Sequence, residues 1–140
     1  MLTFAIVSDV WILKGLYPGI VEGSVIGSDC VGILTKPGSS SLKAGQRVLV
    51  SPSVNWDSDK RAPEGDFRIL GLLPSPGTYS IMRERRKLNP IPPFLGTLTN
   101  VINIDGKEVF PCPSHLSTSE AAALPLAGVT AYRSDKNPGV

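Results

Sequence analysis

The sequence contains few of the cysteine and histidine residues that bind zinc, and its two cysteines are far apart. Its two cysteines are Cys30 and Cys112, and its single histidine, His115, follows three positions after the second cysteine. Structural zinc sites use Cys and His ligands in closely spaced pairs. Two cysteines cannot form a tetrahedral site alone, and His115 does not complete a recognisable ligand spacing, so the sequence predicts no zinc site. We expect both cysteines to be reduced and to pack as small apolar side chains, and His115 to face solvent in a loop bounded by prolines.

Charged residues do not form a recognisable site either. Asp57, Asp59, Glu64 and Asp66 lie in one polar, turn-rich stretch. Their order differs from that of a calcium-binding loop, which also needs a distal glutamate. We therefore expect a solvated loop there, and a second one at the basic residues 83–87. The net charge of +2 is too small to indicate a nucleic-acid partner.

The elements that would position a site are mainly strands and turns. With 140 residues, 41% of them hydrophobic, the chain is long enough for one domain with a sizeable core. Its 14 glycines and 13 prolines favour a mainly β fold with short helices. Residues 23–52 contain two apolar runs, 30–35 and 47–50, which we predict to be strands. Turns are predicted between them, at residues 36–38 and 43–46.

One helix, and a possible further strand, are predicted later in the chain. Ser117 and Glu120 have the spacing of a capping box, in which each side chain accepts a bond from the backbone N–H of the other residue. Residues 121–124 are good helix formers, and Pro125 is expected to break or restart the helix. Residues 97–104 partly alternate between polar and apolar side chains and could form a strand of their own.

The sequence carries no sign of a membrane or export signal. No apolar run reaches the length of a membrane-spanning helix, and the N-terminus lacks a basic start and a small-residue cleavage site. We therefore expect a soluble, cytoplasmic protein without a membrane partner. A Gly-x-Gly-x-x-Gly segment between a strand and a helix, which binds dinucleotide phosphates, is also missing from these residues.

Several segments resemble the medium-chain dehydrogenase/reductase family, which contains zinc alcohol dehydrogenases and quinone oxidoreductases. The matching sequences are DVWILKGLYPG at residues 9–19, GSD at 27–29, GQRV at 45–48 and GVTAY at 128–132. The resemblance covers roughly residues 8–80 and 107–133. It is to the N-terminal, GroES-like catalytic domain of the family.

The resemblance implies a GroES-like, partly open β-barrel over residues 1–133, with a C-terminal helix that leads toward a Rossmann domain missing from this sequence. A segment at about residues 81–104 and a tail at 134–140 do not resemble the family, and residues 1–7 replace its first strands. We expect a truncated product or a gene model that retains intron sequence. Unpaired strand edges and an exposed apolar helix face would then make the chain aggregation-prone, partner-dependent or homo-oligomeric.

The family's catalytic zinc is not expected in this chain. Ile6 stands where zinc-dependent members have a cysteine ligand, and Ser28 stands in place of the histidine of their Gly-His-Glu element. Neither side chain is a zinc ligand, and no cysteine lies in the segment where the family binds a structural zinc. The resemblance therefore implies zinc-independent chemistry. Asp29, which follows Ser28, is expected to be a carboxylate of a turn or of the barrel mouth.

The function implied by the resemblance is that of an NAD(P)-dependent oxidoreductase with a small-molecule substrate. Such an enzyme transfers hydride to or from a carbonyl, an alcohol, a quinone or an activated alkene. As the N-terminal part of the catalytic domain alone, this chain is expected to be inactive. Two alternatives stay open: a non-catalytic binding or regulatory barrel protein, and an unrelated all-β binding module.

Four residues are candidates for binding, and none is predicted to be catalytic. By resemblance, Thr130 stands where family members place a hydroxyl near the cofactor, although a helical threonine can also bond back to the preceding turn. Trp11 and Tyr17 fall in the segment that frames the substrate cleft, and Trp56 is a third candidate for that cleft. The alternative for these aromatic side chains is packing in the core.

Overall fold

The computed structural model describes residues 2–4, 7–17, 23–54, 68–71 and 96–136. They divide into two compact units. The first unit comprises the described residues of Met1–Phe4, Asp29–Pro52 and Asn103–Val140, and the second those of Ala5–Ser28 and Ser53–Ile102. In chain order the elements are β1 (Leu2–Phe4), α1 (Val7–Leu13), β2 (Asp29–Ile33), β3 (Arg47–Val50), β4 (Ser53–Val54), β5 (Arg68–Ile69), a 3-10 turn (Gly106–Glu108), β6 (Val109–Pro111) and α2 (Thr118–Lys136). The predicted loops at residues 57–66 and 83–87 lie outside the described residues.

The first unit is built on an open antiparallel sheet with the strand order β1-β2-β3-β6. β2 and β3 confirm the two strands predicted between residues 23 and 52. Val31 of β2 is buried, as are Val48 and Val50 of β3, which alternate with less buried residues as one face of a pleated strand requires. β1 pairs with β2, so a strand fills the edge that we expected to be unpaired there.

Two turns join β2 to β3, as predicted. In the first turn, the Ser40 N–H donates to the Pro37 carbonyl over 2.9 Å. In the second, the Gln46 N–H donates to the Lys43 carbonyl over 3.2 Å. Gly45 has a φ of +85° in this second turn, a left-handed conformation that glycine adopts without steric cost. The residue types of both turns therefore fix the short connection that lets the strands pair.

Helix α2 packs against β1, β2 and β3 through small side chains. Ala121 and Ala122 are fully buried and lie against Val31 of β2. Because alanine has only a Cβ, the helix backbone can come close to the sheet. Larger apolar side chains of the same helix are exposed: Leu124, Val129 and Tyr132. We expected an apolar face of this helix to be exposed, and these three side chains are exposed. The face that carries Ala121 and Ala122 is instead covered by the sheet.

Pro125 lies inside α2, where it does not end the helix. The expected break is therefore wrong in its simple form, because helical backbone continues on both sides of the proline. A proline in a helix interior removes one N–H and crowds the carbonyl one turn earlier. The helix also continues past residue 133, where the resemblance to the family stops, and ends at Lys136.

Close backbone contacts around Gly27 hold the second unit together. The Thr97 N–H donates to the Gly27 carbonyl over 2.9 Å, and the Leu98 N–H donates to the Ile26 carbonyl over 2.8 Å. Gly27 has a φ of +93°, and an added Cβ would lie 2.8 Å from Thr97 Oγ1, so only glycine fits there. Residues 97–104, all within the described range 96–136, contain no regular strand, so the strand considered there is wrong.

The two helices differ in length and polarity. α1 has 7 residues, and α2 has 19, among them Glu120, Asp135 and the basic Lys136. Within the described residues, no helix combines the length and the apolar character that crossing a lipid bilayer requires. The cytoplasmic location stays a prediction.

Candidate functional site

The aromatic cleft candidates that the structure describes lie in the second unit. Trp11, on α1, is 51% exposed, so the core-packing alternative is wrong for this side chain. The Leu16 N–H donates to the Trp11 carbonyl over 2.9 Å and closes a turn after the helix. Tyr17 follows that turn and is half-buried. Trp56 lies outside the described residues. The segment thus offers one largely exposed aromatic side chain and one half-buried one.

Thr130, the candidate for contacting the cofactor, lies in the first unit on α2 and is exposed. Its carbonyl accepts a hydrogen bond from the Ser134 hydroxyl over 3.0 Å, a contact between successive helical turns. Gly128, two residues earlier, is part-buried, and an added Cβ there would lie 3.1 Å from a methyl carbon of Leu124. A residue larger than glycine at position 128, two residues before Thr130, would therefore crowd the Leu124 side chain.

Ser28 occupies the position at which a metal-binding histidine is expected from the family pattern. Its side chain is fully buried, and its hydroxyl donates to the Leu70 carbonyl over 2.8 Å. The next residue, Gly71, comes so close to this loop that an added Cβ would lie 2.6 Å from the Gly27 nitrogen. Within the described parts of the chain, no group of three or more His, Cys, Asp or Glu side chains is placed to hold a metal ion. These donors do not fit a zinc ion, because the hydroxyl is used to join two backbone segments.

Asp9 is a buried carboxylate of the same unit. It is 1% exposed, and its Oδ1 accepts the Gly27 N–H over 2.9 Å. Asp9 thereby fixes the left-handed turn that precedes Ser28. A carboxylate bonded to a backbone N–H in a protein interior is a strong, charge-assisted contact. Its place in the structure is that of a backbone anchor.

Asp29 is a buried carboxylate whose partner the sequence reasoning missed. It begins β2, is 1% exposed, and accepts the Leu126 N–H of α2 over 2.7 Å. The expectation of a turn carboxylate is wrong, because Asp29 lies in a strand and its side chain bonds the helix that packs on the sheet, whereas a place at a barrel mouth stays a prediction. One signal was available: Pro125 disrupts the helix at the residue before this N–H, which makes a bond from elsewhere in the fold useful.

The two cysteines differ in environment. Cys30 is 1% exposed, which confirms its predicted burial, and this burial raises the pKa of its thiol to about 11. Cys112 is only partly buried, against the core formed by Val31, Ala121 and Ala122. His115 is exposed, as predicted. Neither the deeply buried thiol nor the exposed imidazole has the surroundings of an activated nucleophile or a general base.

Comparisons with known proteins place this geometry in context. A "Zinc-type alcohol dehydrogenase-like protein YogA" of Leptosphaeria maculans is 32% identical over 133 residues, which cover 89% of this chain and 32% of that protein. The crystal structure of an NAD-dependent alcohol dehydrogenase matches with a TM-score of 0.64 and 25% identity, over 93% of this chain and 35% of the solved one. No family model matches. The chain thus spans about a third of the length of these similar proteins.

Proposed function

We propose that this chain, which belongs with the medium-chain dehydrogenase/reductases and matches about a third of an alcohol dehydrogenase-like protein and of an NAD-dependent alcohol dehydrogenase, forms the substrate side of an oxidoreductase. The reaction is hydride transfer between a nicotinamide cofactor and a carbonyl, an alcohol, a quinone or an activated alkene. The observation that carries this proposal is that nearly the whole chain aligns with alcohol dehydrogenases both in sequence and in structure.

The sheet of the first unit is part of a GroES-like barrel in this proposal. Its support is the antiparallel order β1-β2-β3-β6, with α2 packed on β1, β2 and β3. In such a domain the sheet is a rigid support, and the loops around it contact the ligands. Trp11, on α1, and Tyr17, which follows the turn after it, belong to the second unit, and a flat, apolar substrate would stack on the exposed indole.

The cofactor, when bound, would supply or accept the hydride, while a proton is gained or lost at the oxygen of a carbonyl, alcohol or quinone, or at the α-carbon of an activated alkene. Thr130 is the residue of this chain that we assign to cofactor contact, since its position on α2 is exposed and a hydroxyl both donates and accepts hydrogen bonds. These 140 residues include no phosphate-binding glycine motif. We therefore propose that they do not transfer hydride alone, and that a partner or further chain supplies the phosphate contacts.

Zinc is not a part of the proposed chemistry. Ser28 stands where the family has a metal-binding histidine. Its hydroxyl donates to the Leu70 carbonyl, which supports this part of the proposal. Polarisation of a substrate oxygen would then come from hydrogen-bond donors rather than from a metal ion.

Titration of the purified chain with NADPH and NADH tests whether the cofactor's phosphate contacts lie outside these 140 residues. We expect no saturable binding up to about 1 mM, the upper end of ordinary substrate affinities. Tight, saturable binding would contradict the proposal that the phosphate contacts lie elsewhere. Thr130→Ala is the matched variant: if wild-type binding is detected and the variant abolishes it, the helix itself holds the cofactor.

Fluorine NMR of the chain labelled at its two tryptophans tests the substrate side. The resonances are assigned with Trp11→Phe and Trp56→Phe. We expect a quinone or an α,β-unsaturated ketone to shift the Trp11 resonance in a saturable way, and a sugar of similar size to leave it unchanged. If no member of a panel of aldehydes, alcohols, quinones and enones shifts either resonance, the assignment of this segment to substrate binding is overturned.

A further inference from the structure

The middle of helix α2 has the pattern of a second helix start. Pro125 has no N–H to donate, and proline is favoured at the first position of a helix because its φ is already fixed there. The next N–H, that of Leu126, is in the place of the second residue of such a helix. At ordinary helix starts, this N–H is bonded by the side chain of a capping residue, often an aspartate.

In this protein the capping oxygen comes from a residue that is 97 positions away in the chain. Asp29 Oδ1 accepts the Leu126 N–H over 2.7 Å, and the side chain is almost completely buried. A carboxylate is also favoured at this end of a helix by the partial positive charge of the free N–H groups. Since Asp29 begins β2, the bond joins the sheet directly to the second half of α2.

We propose that Asp29 is a positioning residue: it caps the segment of α2 that follows Pro125, and it thereby sets the position of Thr130. Thr130 lies four residues after Leu126, one helical turn along the same segment. The functional meaning of this position rests on the proposed function, in which Thr130 contacts the cofactor. The capping itself does not depend on a cofactor.

Residue-resolved hydrogen exchange of the full chain tests the cap. We expect the Leu126 amide of the wild type to be protected like the amides in the interior of the helix. In Asp29→Ala the exchange of Leu126 should rise about fivefold, whereas Ala121 and Ala122 change by less than about twofold. Asp29→Asn is the matched control, because its amide oxygen can still accept the bond. Adding Pro125→Ala to Asp29→Ala should restore protection, because removing the proline ring relieves the crowding of the preceding turn and favours a bond from Leu126 to the Ala122 carbonyl.

Two results would overturn the cap: an unprotected Leu126 amide in the wild type, or equal acceleration of the whole helix in Asp29→Ala and Asp29→Asn. The wild-type and asparagine measurements decide the matter even if Asp29→Ala does not fold. The methyl resonance of Thr130 tests the positioning. It should shift in Asp29→Ala and stay unchanged in Ser117→Ala, which removes the cap at the helix N-terminus. An unshifted Thr130 methyl beside a deprotected Leu126 would overturn the positioning role.

These measurements are made without a cofactor, so they fail or succeed independently of the proposed function. Saturable NADPH binding by the chain alone would contradict the proposal that the phosphate contacts lie elsewhere, and it would not affect the interpretation of the exchange data. Conversely, loss of the cap in the exchange data would leave the cofactor titration unaffected.

Discussion

Helix α2 is capped at two places, and the two caps are of opposite kinds. At its N-terminus, the Ser117 N–H donates to the Glu120 carboxylate over 2.8 Å, and the Glu120 N–H donates to Ser117 Oγ over 3.3 Å, both exposed to solvent. Behind Pro125, the Leu126 N–H donates to the buried Asp29 carboxylate over 2.7 Å. The first cap is made by residues three apart in sequence, and the second joins the helix to a strand.

Solvent decides how much each cap contributes. Water can replace a lost partner at the exposed cap, so the net contribution of each bond there is small. Water does not reach the buried carboxylate, and the low dielectric constant around it strengthens the bond to Leu126. Removing that partner leaves a donor unsatisfied inside the protein, which costs more than the bond itself contributes. The remote cap should therefore dominate the stability of the helix.

Asp29→Ala should have the largest effect among the substitutions that test the difference between the two caps. We expect it to lower the free energy of unfolding by about 2 kcal/mol, the cost of removing a buried, charged acceptor from the partly buried Leu126 N–H. Asp29→Asn should lose about half as much or less, since an uncharged acceptor oxygen remains. Urea denaturation followed by circular dichroism measures both values. Equal losses in the two variants would mean that the bond to Leu126 contributes little.

Alkylation of Cys30 sharpens the comparison locally. Cys30 follows Asp29 in β2 and pairs with Thr3 of β1, and burial raises the pKa of its thiol to about 11. At pH 8 the folded thiol is protonated and covered, so it reacts only when the strand opens. Asp29→Ala should raise its rate of reaction with iodoacetamide about tenfold, the effect of easing that opening by about 1.4 kcal/mol.

The same sample contains the control for that labelling. Cys112 is partly exposed and should react at a similar rate in the wild type and in the variant. Mass spectrometry of the two cysteine peptides separates the rates. If Ser117→Ala accelerates Cys30 as much as Asp29→Ala does, the two caps are not distinct and the comparison fails.

Pro125→Ala measures the coupling between the proline and the remote cap. Asp29 also has an interaction beyond the one with Leu126, so its single substitution sums several losses. A double-mutant cycle with Pro125→Ala isolates the part that depends on the proline inside the helix. We expect Asp29→Ala to cost about 1 kcal/mol less when residue 125 is alanine, since Leu126 then has a helical acceptor. Additive losses in the cycle would contradict this account.

The exposed cap was predictable from the sequence because both of its partners are local. Ser117 and Glu120 have a spacing that has one structural meaning at a helix start, and the strands and turns between Asp29 and Val50 likewise follow from neighbouring residues. The remote cap was not predictable in this way. Nothing near Asp29 in sequence indicates that its carboxylate will meet Leu126, since that contact exists only after the helix has packed on the sheet.

The candidate site was predictable to a similar extent. Ser28 could be recognised as a residue that is not an ordinary zinc ligand, but its bond to the Leu70 carbonyl depends on the folded path of two distant loops. Trp11 could be predicted to lie in a segment that frames a substrate cleft, whereas its half-exposed position depends on what the fold leaves uncovered. Residue types thus predict what a side chain can do, and tertiary packing decides which partner it has.

Ser117→Ala is the smaller counterpart of the Asp29 substitution. It removes the acceptor for the Glu120 N–H at a position where water can take over. We expect a loss of about 1 kcal/mol in the free energy of unfolding, typical of an exposed N-cap, and a smaller loss for Ser117→Gly. Urea denaturation under the same conditions provides the ranking. A loss larger than that of Asp29→Ala would reverse the order of the two caps.

The pH dependence of the exposed cap is the smallest expected effect. The bonds from the Ser117 hydroxyl and backbone lower the pKa of the Glu120 carboxyl. A carboxyl with a lower pKa in the folded state stabilises the fold above its unfolded pKa of about 4.3, and this stabilisation is lost as the pH falls through the folded value. Glu120→Gln should remove that part of the acid loss, so the stability curves of wild type and variant should converge at low pH. Curves that stay parallel between pH 7 and pH 3 would show that the Glu120 charge does not contribute to the cap.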